Sequence, residues 1–294
     1  MAANPEFFEM EVRLRPGTAD DATACGRICY DAFGAISAQH NFPPDFPSVE
    51  AAEQLCSGLL GHPGFYSVVA ESAGRIAGSN FLDERNSIAG IGPVTVDPGI
   101  QNQAVGRRLM EAVLERVADK RLPSVRLLQA AYHNRSLSLY TKLGFVAREP
   151  LSTLQGTPPK VRLPGHEVRS ATIEDLPSCN RLCLQVHGHD RGGELLDAIT
   201  QGTARVVERD GRIVGYTTII AFFGHTVGET NDAVKALIAA ASEYPGPGFH
   251  VPTRNAELFR WCLEHGLRVV QPMTLMTIGL YNEPAGAYLP SIFY

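Results

Sequence analysis

The chain has 294 residues and a mass of 31.8 kDa, which predicts two domains or one large α/β domain at about 100–200 residues per domain. Hydrophobic residues make up 44% and charged residues 19%, proportions that exclude a long disordered tract. Acidic residues outnumber basic ones by 31 to 26, which argues against a nucleic-acid partner, and no apolar run approaches the roughly 20 residues of a membrane span. Met1 to Arg15 mixes Glu6, Glu9 and Glu11 with scattered apolar residues and lacks a signal-peptide core, so the default compartment is the cytoplasm.

In chain order, Val12-Arg13-Leu14-Arg15 alternates like a strand, and Thr18 with Asp21 opens a helix as N-cap and first-turn acid. Ala22, Cys25, Ile28, Cys29, Ala32 and Phe33 continue that helix at its own spacing. His40 to Pro47 is a Pro/aromatic segment, after which Ser48 caps a second helix running towards Leu60. Tyr66–Ala70 and Ile76–Leu82, joined at Ala73-Gly74, form a hairpin. Ile91 to Val96 is a strand, Val105 to Val117 an amphipathic helix and Val125 to Ala131 a strand. Ser136 to Leu143 is a helix stopped by Gly144, and Phe145 starts a last strand. Antiparallel strands followed by a crossover unit predict a mixed α/β sheet.

The six cysteines include two pairs at four-residue spacing, Cys25/Cys29 and Cys179/Cys183. Such a pair puts two thiols on one helix face, available to a metal or redox site or simply buried as small apolar groups; no CxxC or further ligand at zinc spacing accompanies them. The pairs also expose a duplication. Arg15, Thr18, Asp21, Cys25, Arg27 and Cys29 recur as Arg169, Thr172, Asp175, Cys179, Arg181 and Cys183, all shifted by 154 residues (15 to 169). Val69, Glu71, Gly74, Arg75, Ile76 and Gly78 recur as Val206, Glu208, Gly211, Arg212, Ile213 and Gly215, shifted by 137 (69 to 206), so the second copy is 17 residues shorter between these blocks. The Pro-rich stretch Thr157 to Gly165 is the expected joint.

Chemistry concentrates between Val94 and Leu109, where a strand runs into a loop of small residues that opens a helix with Arg107 and Arg108 in its first turn. Unpaired N–H groups and partial positive charge at a helix N-terminus attract anions, and the small residues Ala104 and Gly106 admit a phosphate close to the backbone. Two arginines there oppose the helix dipole unless an anion compensates; the plainer alternative is a strand-to-helix turn with solvated arginines.

Gln101-Asn102-Gln103-Ala104-Val105-Gly106, preceded by Val96-Asp97-Pro98, resembles the acyl-CoA pyrophosphate motif of the GNAT superfamily of N-acetyltransferases, Gln/Arg-x-x-Gly-x-Gly/Ala, with Ala104 at the first glycine. Asn134 through Leu139-Tyr140-Thr141-Lys142-Leu143-Gly144-Phe145 resembles the family's closing signature. The resemblance implies two tandem GNAT-like domains, each a mixed, mostly antiparallel sheet flanked by helices with a splayed central strand pair: a catalytic domain over 10–158 and a degenerate one over 165–294. It implies acetyl-CoA as co-substrate, held along Val94, Thr95 and Val96 and over Gln101, Asn102, Gln103, Ala104, Val105, Gly106, Arg107 and Arg108, with Asn134 and Ser136 on the cofactor arm. By the same resemblance the Val96 N–H polarises the thioester carbonyl, and Tyr140 protonates the departing thiolate as an amine attacks directly; Tyr140 can also be read as a core ring. No metal is implied.

A general base does not emerge from the sequence. The strand 91–96 has no carboxylate, and Asp83, Glu84 and His133 are the candidates. Phe42, Asp45 and Phe46 suggest an aromatic acceptor pocket with one carboxylate for a cation, the acceptor being an amine of a small molecule or peptide. In the second copy Glu229 and Asp232 fall where the pyrophosphate would lie, and Cys262 falls at the place of Tyr140, so this copy reads as non-catalytic; it can complete the acceptor pocket or the sheet, with Tyr288 to Tyr294 a terminal strand. His187-Gly188-His189-Asp190 lacks further metal ligands and reads as a polar loop bordering the cleft. The competing function is a CoA-binding sensor or scaffold without turnover, suggested by Ala104 and the missing base. Neither a nucleic-acid nor a membrane partner is expected, and the sequence leaves the oligomeric state open.

Overall fold

The computed structural model describes residues 12–101 and 103–294. The first copy comprises β1 (Val12–Pro16), α1 (Ala22–Gln39), α2 (Val49–Gly61), β2 (Phe65–Ser72), β3 (Arg75–Asp83), β4 (Ala89–Ile91), β5 (Thr95–Val96), α3 (Val105–Asp119), β6 (Ser124–Ala130), α4 (Asn134–Lys142) and β7 (Val146–Gln155). An irregular stretch, 156–166, leads to the second. That copy comprises β8 (Glu167–Ser170), α5 (Leu176–His187), α6 (Gly192–Thr200), β9 (Arg205–Arg209), β10 (Arg212–Thr217), β11 (Thr226–Gly228), α7 (Asn231–Ala240), β12 (Phe249–Pro252), α8 (Ala256–Glu264), β13 (Arg268–Gly279) and β14 (Ala287–Leu289). The architecture is mixed α/β with two sheets.

The repeated residues do the same structural work twice. The Asp21 carboxylate accepts from the Thr18 N–H at 2.8 Å and from both Arg15 Nη atoms at 2.7 Å, while Arg15 Nε donates to Glu71 at 2.7 Å. Asp175, Thr172, Arg169 and Glu208 reproduce this arrangement at 2.7–3.0 Å. The guanidinium beside each aspartate lowers its pKa to about 2. Gly78 and Gly215 repeat because a Cβ at either would lie 2.5 Å from Thr95 O or 2.8 Å from Val207 Cγ1. All six cysteines are buried free thiols in the apolar core, where desolvation pushes Cys25 and Cys179 up to about 12.

What the local pattern does not reveal is how the copies interlock. The larger sheet has nine strands, ordered β1-β2-β3-β4-β6-β13-β7-β12 with β5 attached to β3. The second copy's β13 lies between β6 and β7, pairing Leu275 with Leu128 on one side and Met273 with Leu151 on the other. Reciprocally, the first copy's β7 lies between β13 and β12, pairing Phe249 with Leu154. Each copy thus lends its last long strand to the other. The smaller sheet runs β14-β11-β10-β9-β8. On the first copy's core face, Val105, Leu109, Met110 and Val113 of α3 are fully buried, each worth about 1.5–3 kcal/mol.

The C-terminal tail is fastened by chemistry at the junction of the copies. The Tyr294 ring lies under two buried guanidiniums, Arg126 at 4.1 Å and Arg191 at 4.5 Å from its centroid, and its hydroxyl meets His189 Nε2 at 3.2 Å. Gly90 on β4 permits this, because a Cβ there would stand 1.7 Å from Phe293 O. The expected terminal strand over 288–294 is therefore only β14, and the residues beyond it turn towards the first copy.

Candidate functional site

The predicted strand 91–96 is instead two short pieces whose separation opens the site. β4 pairs parallel with the start of β6, Ala89 to Val125 and Gly90 to Arg126. Pro93, with no N–H for a ladder, stands at the break, and β5 then pairs only with β3. A gap consequently opens between β5 and the far end of β6. Asp97 N–H bonds to Ala77 O at 2.9 Å, so Val96, opposite Gly78, occupies a non-hydrogen-bonded pair and aims its N–H and C=O away from β3. Its carbonyl accepts from Gln101 Nε2 at 3.4 Å.

The loop after β5 reaches α3 through Ala104, the N-cap, at φ 61° and ψ 5°. This left-handed conformation costs a residue with a Cβ about 1–2 kcal/mol. Ala104 has no side chain to cap the helix, and the first intrahelical bond runs from Arg108 N–H to Ala104 O. The N–H groups of Val105, Gly106 and Arg107 therefore have no helical acceptor, and all three residues face one cavity of about 630 Å³. A Cβ on Gly106 would make only ordinary contacts, with Val96 Cγ2 at 3.6 Å and Leu139 Cδ2 at 3.9 Å, so a small side chain fits there without a clash. That arrangement fits an anionic pyrophosphate.

Of the other expected cofactor residues, Val94, Thr95, Val96, Gln101, Ala104 and Ser136 also line the cavity. Ser136 Oγ donates to His133 O at 2.9 Å. Gln103 and Asn134 are exposed and are not part of its wall, and Asn102 lies outside the described residues. Arg108 turns the opposite way, donating to Val12 O at 2.6 Å. Arg107 stays at the cavity, paired with Glu111 at 3.3 Å.

Tyr140 of α4 lines the same cavity, its ring against Phe145, with burial pushing its phenol up to about 12. Asp45 and Phe46 reach the wall as well, but Phe42 stands behind it, stacked on Tyr132 with centroids 4.1 Å apart. Two of the candidate bases are committed elsewhere. Asp83 is buried and held by Arg85 at 2.6 Å, and Glu84 is bonded to Arg116 at 2.8 Å and Lys120 at 2.6 Å. Neither lines the cavity, whereas His133 does, with burial lowering its pKa.

Residues 34–145 match the family model of the Acetyltransferase (GNAT) family. Over this segment the chain resembles the GNAT acetyltransferases. No curated protein matches the chain. Among solved structures, a protein named as an acetyltransferase from Pyrococcus horikoshii is similar over 98% of this chain and 97% of its own, at TM-score 0.72 and 18% identity. A GCN5-related N-acetyltransferase from Sphaerobacter thermophilus follows the fold over 92% and 96%, at TM-score 0.63 and 16% identity. A tandem GNAT protein from the clavulanic acid biosynthesis pathway does so over 92% and 98%, at TM-score 0.55 and 14% identity.

The second copy keeps the GNAT outline but closes the corresponding gap. The edge of β11 away from β10 is paired with β14, Val227 to Tyr288, and β14 also packs on β12. Thr230 caps α7 by accepting from Ala233 N–H at 3.3 Å. Glu229 is ion-paired with Arg212, Asp232 with Lys235 at 3.0 Å, and Cys262 is buried in the core. The His187–His189 loop, expected beside the cleft, is instead buried beneath Tyr288 and Tyr294, where desolvation lowers His189 to about 3. Among the described residues no group of three or more His, Cys, Asp and Glu is placed to hold a metal, and no helix is long and apolar enough to cross a membrane.

The sequence allowed the second copy to complete the acceptor pocket but did not reveal which of its residues line the cavity: Phe222, Phe223, Gln271, Met273, Ile292 and Phe293. These residues have no motif. The signals that could have pointed to them were the terminal aromatic run and the unbroken strand pattern from 268 to 279.

Proposed function

We propose that the first copy, residues 10–158, transfers an acetyl group from acetyl-CoA to an amine of a small molecule or peptide by direct attack, and that 165–294 is a non-catalytic GNAT-like copy. The observation that carries this reading is one cavity bounded by unpaired N–H groups at the α3 N-terminus, the gap-facing Val96 N–H and the Tyr140 phenol. The amides of Val105, Gly106 and Arg107 and the Arg107 guanidinium bind the pyrophosphate, with the Val94–Val96 backbone and Ser136 along the pantetheine arm. The Val96 N–H donates to the thioester oxygen as negative charge builds there. Tyr140, protonated at neutral pH, passes its proton to the departing thiolate and recovers one from the attacking nitrogen through water. No covalent intermediate on the chain is required.

The test is incubation with acetyl-CoA and a panel of amines, reading free thiol release and acetylated product. Amine-dependent release supports the transferase. Acetyl-CoA binding in calorimetry without release across the panel supports a CoA-binding sensor instead.

A further inference from the structure

The cavity contains a carboxylate whose surroundings specify what it is missing. Asp45 lines the cavity, and Gln271 Nε2 donates to its Oδ1 at 3.2 Å. Its Oδ2 accepts no hydrogen bond and neither oxygen has a cationic partner among the described residues. Gln271 is itself oriented, because its Oε1 accepts from the Tyr132 hydroxyl at 3.2 Å, and Tyr132 is stacked on Phe42 with the His40 ring tilted against it. The second copy's β13 and the loop after the first copy's β6 thus fix one oxygen of Asp45 and leave the other open to the cavity. The titratable groups around it are Cys29 of α1 and Tyr132; His40 and His133 stand beyond Tyr132. Cys29 and Tyr132 carry no positive charge, and burial disfavours the charged form of His133.

The cavity's aromatic and branched apolar lining comes from both copies: Phe33 and Phe46 from the first, and Phe222, Phe223, Ile292 and Phe293 from the second. A carboxylate served by one neutral donor among apolar side chains is undersatisfied, and an ammonium group bound there would gain charge-assisted hydrogen bonds. The apolar surroundings fit a hydrocarbon or aromatic body and offer a polyamine no second carboxylate.

Building on the acetyltransferase reading, we propose that the acceptor is a primary amine on an aromatic or branched apolar body, and that Asp45 both anchors its ammonium group and takes the proton released before attack. One N–H bond of the ammonium breaks as an O–H bond forms on Asp45 Oδ2. The freed lone pair forms the C–N bond at the thioester carbonyl, and the C–S bond breaks with its electron pair on sulfur. The sulfur takes the Tyr140 proton, the nitrogen's second proton returns through water to Tyr140, and Asp45 gives its proton to solvent. Amine and acetyl-CoA become amide, free CoA thiol and one solvent proton. Burial raises Asp45 to about 6, opposed by the Gln271 hydrogen bond, so activity is lost as pH falls through that value.

The test measures thiol release by the full chain with acetyl-CoA and 2-phenylethylamine, tryptamine, spermidine or glycinamide. The aromatic amines should exceed spermidine by at least tenfold in kcat/KM. Asp45→Asn should lose about 100-fold and its acid limb, while Gln271→Leu should move that limb to higher pH by removing the donor that favours the ionised form. Spermidine preferred over the aromatic amines, or Asp45→Asn within threefold of the parent with an unchanged acid limb, overturns the proposal and leaves acetyl transfer standing. Acetyl-CoA binding without thiol release from any amine overturns both.

Discussion

The N-termini of α3 and α7 began as one piece of sequence and now behave oppositely. At α3 a left-handed alanine leaves three amides uncapped over an open gap; at α7 the Thr230 hydroxyl caps the helix, Arg212 engages Glu229, and β14 occupies the edge of the neighbouring strand. The second end satisfies its polar groups from within the chain. The first leaves them for a ligand and holds a strained residue to do so. A helix N-terminus is an anion site only while its own chain declines to fill it.

The sharpest way to break this contrast is to give the first copy an acid like that of the second. Gly106→Glu has room for its Cβ, and a carboxylate in the first turn favours the helix, so folding should survive. Acetyl-CoA affinity in calorimetry should nevertheless fall by about 100-fold or more through like-charge repulsion at the phosphate site. Tyr140→Phe leaves the ring against Phe145 and removes only the proton. It should lower kcat by about 100-fold with little change in KM for acetyl-CoA; undiminished turnover would remove Tyr140 from the mechanism.

Smaller effects sharpen the comparison. Ala104→Gly relieves the left-handed strain while adding unfolded-state freedom, for a net gain of about 0.5–1 kcal/mol in thermal unfolding. Acid titration addresses what the copies share. Asp21 and Asp175 have folded pKa values near 2, below the ordinary aspartate value of about 3.9, so their contribution is complete well above pH 4 and lost as pH falls towards 2. Asp21→Asn and Asp175→Asn should each make unfolding less acid-dependent in that window, by similar amounts because both pairs are partly exposed.

Features encoded by neighbouring residues were legible. The capping arrangement at Thr18 and Asp21, the glycine at 78 and the loop into α3 each follow from a few adjacent side chains, so repeating those residues repeats the feature. The break at Pro93 was missed because Ile91 to Val96 carries strand-forming residues on both sides of it. Arg107 and Arg108 look equivalent in sequence, yet a turn of one residue on the helix sends Arg108 to β1 and leaves Arg107 at the cavity. Gln271 could not be connected to Asp45 at all, being 226 residues away and brought there by the strand exchange.

That exchange also sets the order in which the protein can be made. Because β13 lies between β6 and β7, the first copy's sheet cannot close when residue 155 leaves the ribosome; it must wait for residues 268–279. Until then the facing edges of β6 and β7 are without their partner, and their closure is a long-range step of the kind that slows folding and exposes strand edges to other chains. The duplication thus produced two copies of a fold that mature together: an interrupted synthesis yields an unfinished sheet rather than a small independent domain.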